Sequence, residues 1–148
     1  MEAQVSLTGW VGTDVEFRPA DDNVAAWANF RLGSTPRFQR NGEWQDGNTT
    51  WVTVKCFRAL AENVALSLRR GSPVVVVGRL RTDVWDDQKT GERHERMVLE
   101  ASTVGHDLAL GTSRFARNER PRLEGDRPDS DSTEPGEDTT VVRELAAA

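Results

Sequence analysis

The feature that most constrains the fold is a period-two alternation of apolar and polar residues that recurs along the chain. A β-strand places successive side chains on opposite faces, so this period predicts half-buried strands. One segment has a helical period instead. There Leu60, Val64 and Leu68 recur every four residues, which predicts a helix over residues 58–70 that Gly71 ends. We therefore expect an all-β protein with one helix.

The predicted strands have a definite order around that helix. Three precede it, at residues 4–18, 24–33 and 50–57, and two follow it, at residues 74–85 and 93–104. The OB-fold, a five-stranded Greek-key barrel, is a known fold built from such strands. With its helix between the third and fourth strands, it matches this order. A chain of 148 residues is long enough for one such domain and an appendage.

Two local expectations follow from the same alternation. Residues 34–49, between the second and third strands, are expected to form a long polar loop, a kind of segment that is uncommon unless it is functional or disordered. In the fifth strand, Met97, Leu99 and Ala101 are expected to lie on the inner face.

The third strand carries the clearest candidate site. One of its faces is an ordinary apolar core face, formed by Val52, Val54 and Cys56. The other face surrounds a cation with two aromatic rings and consists of Trp51, Thr53, Lys55 and Phe57. That combination suits unpaired nucleotides, because rings stack on bases and the cation meets the phosphates. Cys56 is expected to be a buried thiol, with a bridge to the same residue of a second copy as the alternative.

The negative charge of the chain is concentrated at one end. Residues 1–118 hold 15 Lys or Arg and 15 Asp or Glu, a net charge of zero. Residues 119–148 hold 4 and 9, a net charge of −5, which equals that of the whole chain. The composition of this end cannot bury enough apolar surface to fold, so we expect a disordered acidic tail. The neutral body can still bind phosphates if its cations gather on one surface.

Composition also disfavours several classes of protein. A single cysteine argues against a disulfide-stapled secreted domain. No apolar run approaches the ~20 residues of a membrane-spanning helix. The first residues lack the basic and apolar regions of a signal peptide. We therefore expect a cytoplasmic protein that does not bind membranes.

The motifs of enzymes and metal sites are missing from the sequence. No phosphate-binding loop, serine-hydrolase elbow or zinc-protease motif occurs. Asp83, Asp86 and Asp87 lack the spacing of a calcium loop, and His94 and His106 are too isolated to be zinc ligands. We expect no catalysis, no metal and no cofactor. The enzyme alternative is a magnesium-dependent nuclease that uses the aspartate cluster.

Four segments, in this order, resemble the bacterial single-stranded DNA-binding proteins over roughly residues 3–105. They are residues 5–14, residues 24–32, residues 51–57 with 60–62, and residues 68–82 with Trp85. The resemblance implies an OB-fold, homotetramers and sequence-tolerant binding of single-stranded DNA in replication, repair and recombination. Residues 104–115 are similar to the actinobacterial subgroup, in which an added strand clasps neighbouring subunits. The implied domains are residues 1–105 for DNA, 106–118 for the clasp and 119–148 for the tail.

The resemblance and the strand alternation together identify candidate contacts. The family's stacking aromatics correspond to Trp51, Phe57, Trp85 and Phe38. The cations expected to follow the phosphates are Arg31, Arg37, Arg40, Lys55, Arg79, Arg81, Lys89 and Arg93. Trp10 and Trp27 are expected to be structural or interfacial, and Trp44 is more readily explained as a cap on the barrel.

The chain departs from the family's pattern at three places. Trp10 stands where a small or polar residue is usual, and Arg58-Ala59 replaces a common Gly-Lys. The family's tail usually ends in an acidic tip finished by Pro-Phe, which recruits other enzymes, whereas residues 141–148 read VVRELAAA. We expect a specialised second copy that does not recruit enzymes in this way. An OB-fold module for RNA or for protein partners is the alternative.

Overall fold

The computed structural model describes residues 2–119. The predicted tail lies outside the described residues from residue 120 onward. The described part contains eight strands and one helix: β1 Gln4–Val11, β2 Glu16–Arg18, β3 Trp27–Ser34, β4 Arg37–Arg40, β5 Glu43–Asp46, β6 Thr50–Phe57, α1 Arg58–Ser67, β7 Pro73–Asp86 and β8 Arg93–His106.

Five strands close into a barrel. Their order is β1-β7-β8-β6-β3, and β3 returns to β1 through the pairs Trp10 with Gly33 and Val11 with Leu32. All these pairings are antiparallel except β6 with β8, which is parallel. The short strand β2 lies along β3. This is the predicted mostly-β, OB-like ring with one helix between the third and fourth barrel strands.

The barrel interior is built from the apolar faces of its strands. Ala28, Phe30 and Leu32 of β3 are buried, and so are Val52, Val54 and Cys56 of β6. Val74, Val76 and Leu99 meet them from β7 and β8, and Ala61 and Val64 of α1 complete the cluster. Burying these side chains removes apolar surface from water, which is the main force that holds the barrel together.

The helix is shorter than predicted. It ends at Ser67 rather than at residue 70, because Leu68 turns to extended backbone while its N–H still bonds the Val64 carbonyl. Gly71 then adopts a left-handed φ of +89°. Arg69 and Arg70 therefore lie beyond the last helical turn, which contains no basic residue.

The predicted long loop is wrong, because residues 37–46 form a β-hairpin. β4 and β5 pair with each other, and Asn41 and Gly42 make the turn with φ of 53° and 81°. Asn-Gly is a strong sequence signal for a two-residue hairpin, because both positions tolerate positive φ. We call residues 37–46 the ribbon. Within residues 2–119 its strands hydrogen-bond in a ladder only to each other.

The inner position predicted for Met97 is also wrong, since 58% of this side chain is exposed. Met97 does share a face of β8 with Leu99, which is buried. The β6 pairing of β8 reaches only from Val98 to Glu100, so at Met97 the β7–β8 pair has already left the barrel. Alternation gives the correct face here but does not show where the core ends.

Candidate nucleic-acid interface

The strand register gathers most predicted site residues on the barrel surface that points away from the core, here called the outer face. Directly paired residues share a face of a sheet. The outer face is defined by four residues of β6: Trp51, Thr53, Lys55 and Phe57. Its other members, read from the register, are Glu16 and Arg18 of β2; Trp27, Asn29 and Arg31 of β3; His94, Arg96, Val98 and Glu100 of β8; and Arg79, Arg81, Asp83 and Trp85 of β7.

Trp51 is held in place by two glycines. A Cβ built on Gly12 would clash with the Trp51 ring, and one on Gly33 would lie 3.0 Å from two of its ring atoms. The indole therefore rests against glycine backbone, yet 53% of Trp51 stays exposed. A flat ring that is supported on one side and open to solvent can accept a stacked base with little reorganisation.

The two other predicted rings on the outer face are also accessible, with Phe57 41% and Trp85 45% exposed. The Trp85 ring stacks with His94, its cross-strand partner, at a centroid distance of 5.7 Å. Thr53, by contrast, is buried on this face, where its Oγ1 accepts a hydrogen bond from Arg31 Nη1 at 3.2 Å. Thr53 therefore orients Arg31 and is not itself open to solvent.

Three arginines of the outer face lie over aromatic rings and are here called the ring-associated cations. The guanidinium carbon is 5.7 Å from the ring centroid for Arg18 over Trp27, 6.0 Å for Arg31 over Trp51 and 5.5 Å for Arg96 over Trp85. Each contact lies within the ~6 Å range of a cation–π interaction. Within residues 2–119, none of the three forms an ion pair with a carboxylate.

Three other cations of the outer face are already neutralised and are here called the ion-paired cations. Lys55 pairs with Asp83. Arg79 Nη1 lies 2.9 Å from Glu2, which also bridges to Arg81 Nη2 at 3.4 Å. Arg81 Nε lies 2.8 Å from Glu100. A phosphate that approaches any of them competes with a carboxylate.

Two shallow grooves run between the aromatic and cationic side chains. One, of about 290 Å³, is lined by Trp27, Asn29, Lys55, Phe57 and Arg96. The other, of about 280 Å³, is lined by Arg31, Thr53 and Arg96 together with the carboxylates Asp14 and Glu16. Arg96 is common to both grooves. The outer face is therefore concave as well as cationic.

The remaining predicted contacts do not belong to this face. Arg37, Phe38 and Arg40 lie on the ribbon, where Arg37 Nε is 3.0 Å from Asp46. Lys89 lies in the turn between β7 and β8, and Arg93 opens β8 opposite Asp86. All five side chains are exposed.

Arg96 and Arg18 are not among the predicted contacts, and Trp27 was expected to be structural or interfacial. The missed signal was the outward half of the alternation in β8. Counting from buried Leu99 puts Arg96 on the opposite face, with Val98 and Glu100. The position of Arg18 on the outer face follows only from the pairing of β2 with β3, which places it opposite Trp27.

The chemistry of the site is that of binding. Among residues 2–119, no group of three or more His, Cys, Asp or Glu side chains is placed to hold a metal ion. Cys56 is fully buried, as predicted, and burial raises the pKa of its thiol to about 12. The thiol is thus protonated at neutral pH, which makes it a poor nucleophile.

The comparisons with known proteins agree with this geometry. The family described as "Single-strand binding protein family" matches residues 2–107. The "Single-stranded DNA-binding protein 2" of Streptomyces avermitilis is 41% identical over 118 residues, 78% of this chain and 72% of the relative. The protein of the same name in Tropheryma whipplei strain Twist is 44% identical over 115 residues, 76% of this chain and 74% of the relative.

Solved structures show the same fold. The crystal structure of the "small single-stranded DNA-binding protein from Streptomyces coelicolor" superposes with a TM-score of 0.65 at 35% identity, covering 75% of this chain and 99% of that one. The "second Single Stranded DNA Binding protein (SSBb) from Mycobacterium smegmatis" gives a TM-score of 0.59 at 26% identity, covering 79% and 100%.

Proposed function

The chain belongs to the single-strand binding protein family, and on that premise we propose that it binds single-stranded DNA along the outer face of its barrel. It coats and protects the strand without breaking or forming bonds, in replication and repair. Duplex DNA keeps its bases inside the helix, so it cannot offer them to the exposed rings. We place this activity in the cytoplasm, at the nucleoid, where single strands arise.

The observation that carries this proposal is the ring of Trp51, which is supported by glycine backbone on one side and exposed to solvent on the other. Together with Phe57, Trp85 and Trp27, it gives the outer face four aromatic side chains within one curved surface. Every base has a π-face, so stacking on these rings discriminates weakly between sequences.

The phosphates of the strand are met by the cations between the rings. We assign the strongest of these contacts to the ring-associated cations, and above all to Arg96, which lines both grooves. Arg31 is in addition oriented by its bond to Thr53. The ion-paired cations, Lys55, Arg79 and Arg81, contribute less, because each must first exchange a carboxylate for a phosphate. Binding releases counterions, so the affinity falls as the salt concentration rises.

A titration of intrinsic tryptophan fluorescence tests the proposal. Oligo-dT, an RNA of matching length and a duplex are each added to the full chain at two salt concentrations. Strong quenching by dT that weakens with salt is the expected result. Equal affinity for the RNA would redirect the proposal to an RNA-binding module. No quenching by any nucleic acid would mean that the rings contact a protein instead.

We further propose that the chain assembles as a homotetramer. Trp10 is 51% exposed on β1, and the half-buried Val75 and Val77 lie on the same side of the neighbouring strand β7. The segment 106–118, which we assign to clasping a neighbouring subunit, exposes Leu108 and Leu110. These apolar side chains suit contacts between copies. Sedimentation of wild type and Trp10→Ser tests this, and a wild-type monomer at micromolar concentration would refute it.

A further inference from the structure

The ribbon is unusual because it offers DNA-binding chemistry on both of its faces. Residues directly opposite each other in an antiparallel pair share a face. Phe38 lies opposite Gln45 and Arg40 opposite Glu43, whereas Gln39 lies opposite Trp44 and Arg37 opposite Asp46. Each face therefore carries one aromatic ring, one arginine, one glutamine and one acid.

Both rings are open to solvent. Phe38 is 45% exposed and Trp44 is 64% exposed, so Trp44 does not cap the barrel as the sequence suggested. All eight strand residues of the ribbon are exposed, and each aromatic has an arginine on its own side. On the outer face, too, rings and arginines share a surface, and there three of them are in cation–π contact.

We infer that Trp44 is a further DNA-stacking residue and that the ribbon is bound by two separate segments of one strand. Phe38 contacts the segment that also crosses the outer face, and Trp44 contacts a second segment on the other side of the ribbon. A single stretch of strand lying along one side of a two-stranded ribbon cannot reach both rings, because their side chains point in opposite directions.

The polar composition of the Trp44 face identifies nucleic acid as its occupant. An apolar protein partner would find a single ring there, surrounded by Gln39 and the ion pair of Arg37 with Asp46, and therefore little apolar surface to bury. A DNA strand instead stacks a base on the indole and places a phosphate near Arg37 in exchange for Asp46. The inference rests on the proposed function, since it extends the same mode of binding to a second surface.

Oligonucleotide length separates the two segments experimentally. One OB-fold covers about 4–16 nucleotides, so a dT of about 12 nucleotides fills the first segment and one about three times longer can reach the second. Trp44→Ala is expected to leave affinity for the short dT within about twofold and to weaken the long dT roughly fivefold or more, the scale set by the loss of one stacked base. Trp44→Phe, which keeps a ring, is expected to restore most of that loss.

Two controls keep the outcome unambiguous. Leu66→Ala removes an exposed apolar side chain from α1, far along the chain from the ribbon, and is expected to leave both affinities unchanged. Photo-crosslinking to 5-iodouracil-substituted dT, mapped by mass spectrometry, shows whether residue 44 touches the strand. A crosslink at Trp44 with the long dT, absent with the short one, supports the inference.

Several results would overturn it. They are an unchanged affinity of Trp44→Ala for both lengths, an equal loss for both lengths, or a loss for the long dT without any crosslink at residue 44. The last result would assign Trp44 to a contact between protein copies. Failure of wild type to bind any dT would instead overturn the proposed function, so the two failures are distinguishable.

Discussion

The outer face contains two kinds of cation that a linear sequence does not distinguish. Arg18, Arg31 and Arg96 lie over aromatic rings, whereas Lys55, Arg79 and Arg81 are bound to carboxylates. A guanidinium over a ring keeps hydrogen-bond donors available to a phosphate. A cation in an ion pair is partly neutralised by its carboxylate, and a phosphate has to compete for it. The partner of a cation, as much as its position, therefore sets how much that cation contributes to DNA binding.

The largest effect is expected from Trp51, the ring on which the proposed function rests and over which Arg31 lies. Trp51→Ala should weaken oligo-dT binding roughly 10- to 100-fold, because a stacked base is worth about 1–3 kcal/mol in proteins of this class, a general value rather than one measured on this chain. Equilibrium titration at fixed salt measures it. Gly12→Ala keeps the Trp51 ring but adds a methyl group that displaces it from the glycine backbone. This variant should lose less affinity for oligo-dT than Trp51→Ala. If Trp51→Ala bound oligo-dT as tightly as wild type, Trp51 would not be part of the site.

The direct test of the comparison replaces one cation of each kind with the same neutral residue. Arg96→Gln should weaken dT binding about 5- to 10-fold and reduce the salt slope by about 0.7, the value of one single-strand phosphate contact. Arg79→Gln should change the affinity less than about twofold, because Glu2 already holds its guanidinium. Titrations over a range of salt concentrations give both quantities. If both variants lost the same affinity for dT, the distinction between ring-associated and ion-paired cations would be wrong.

The complementary change releases the ion-paired cations. The double variant Glu2→Gln, Glu100→Gln removes both carboxylates that contact Arg81 and should raise dT affinity by up to about fivefold, since an exposed ion pair is worth at most about 1 kcal/mol. Its salt slope should steepen as well. Glu95→Gln, an exposed acid on the other face of β8, is the matched control. A weaker-binding double variant would contradict the expectation.

The smallest effect on binding is expected from a change that alters stability alone. Arg58 adopts a φ of 58°, a left-handed conformation that costs a non-glycine residue about 1–2 kcal/mol. Arg58→Gly should stabilise the fold by roughly 0.5–1 kcal/mol after the entropy of glycine is counted, with unchanged dT affinity. Chemical denaturation measures the gain, and Ala59→Gly within the helix should show a loss instead. A destabilised Arg58→Gly variant would mean that the arginine side chain stabilises the turn.

The positive φ of Arg58 shows what one departure of the sequence from its family costs. The family commonly places glycine after the phenylalanine that corresponds to Phe57, and glycine adopts positive φ without a steric cost. Here the arginine keeps the same backbone, and its N–H still bonds the carbonyl of Ala26. The local geometry therefore persists although the residue that suits it best is missing.

The sequence by itself determined the order of the five barrel strands and the helix, the two faces of β3 and β6, and the positions of Trp51, Phe57 and Trp85 on the outer face. These follow from the strand period and local propensity, which act between neighbours in the chain. The Asn41-Gly42 turn was equally visible in the sequence, and a hairpin could have been predicted there.

Tertiary structure alone decided which outer-face residues meet. Arg96 reaches Trp85, Glu2 reaches Arg79, and Gly12 supports Trp51 because the barrel register brings distant segments into contact. The exposure of Met97 has the same origin, since the core ends where β6 stops pairing with β8. Alternation specifies a face, but partners across strands depend on register and closure, which are set by the packing of the whole barrel.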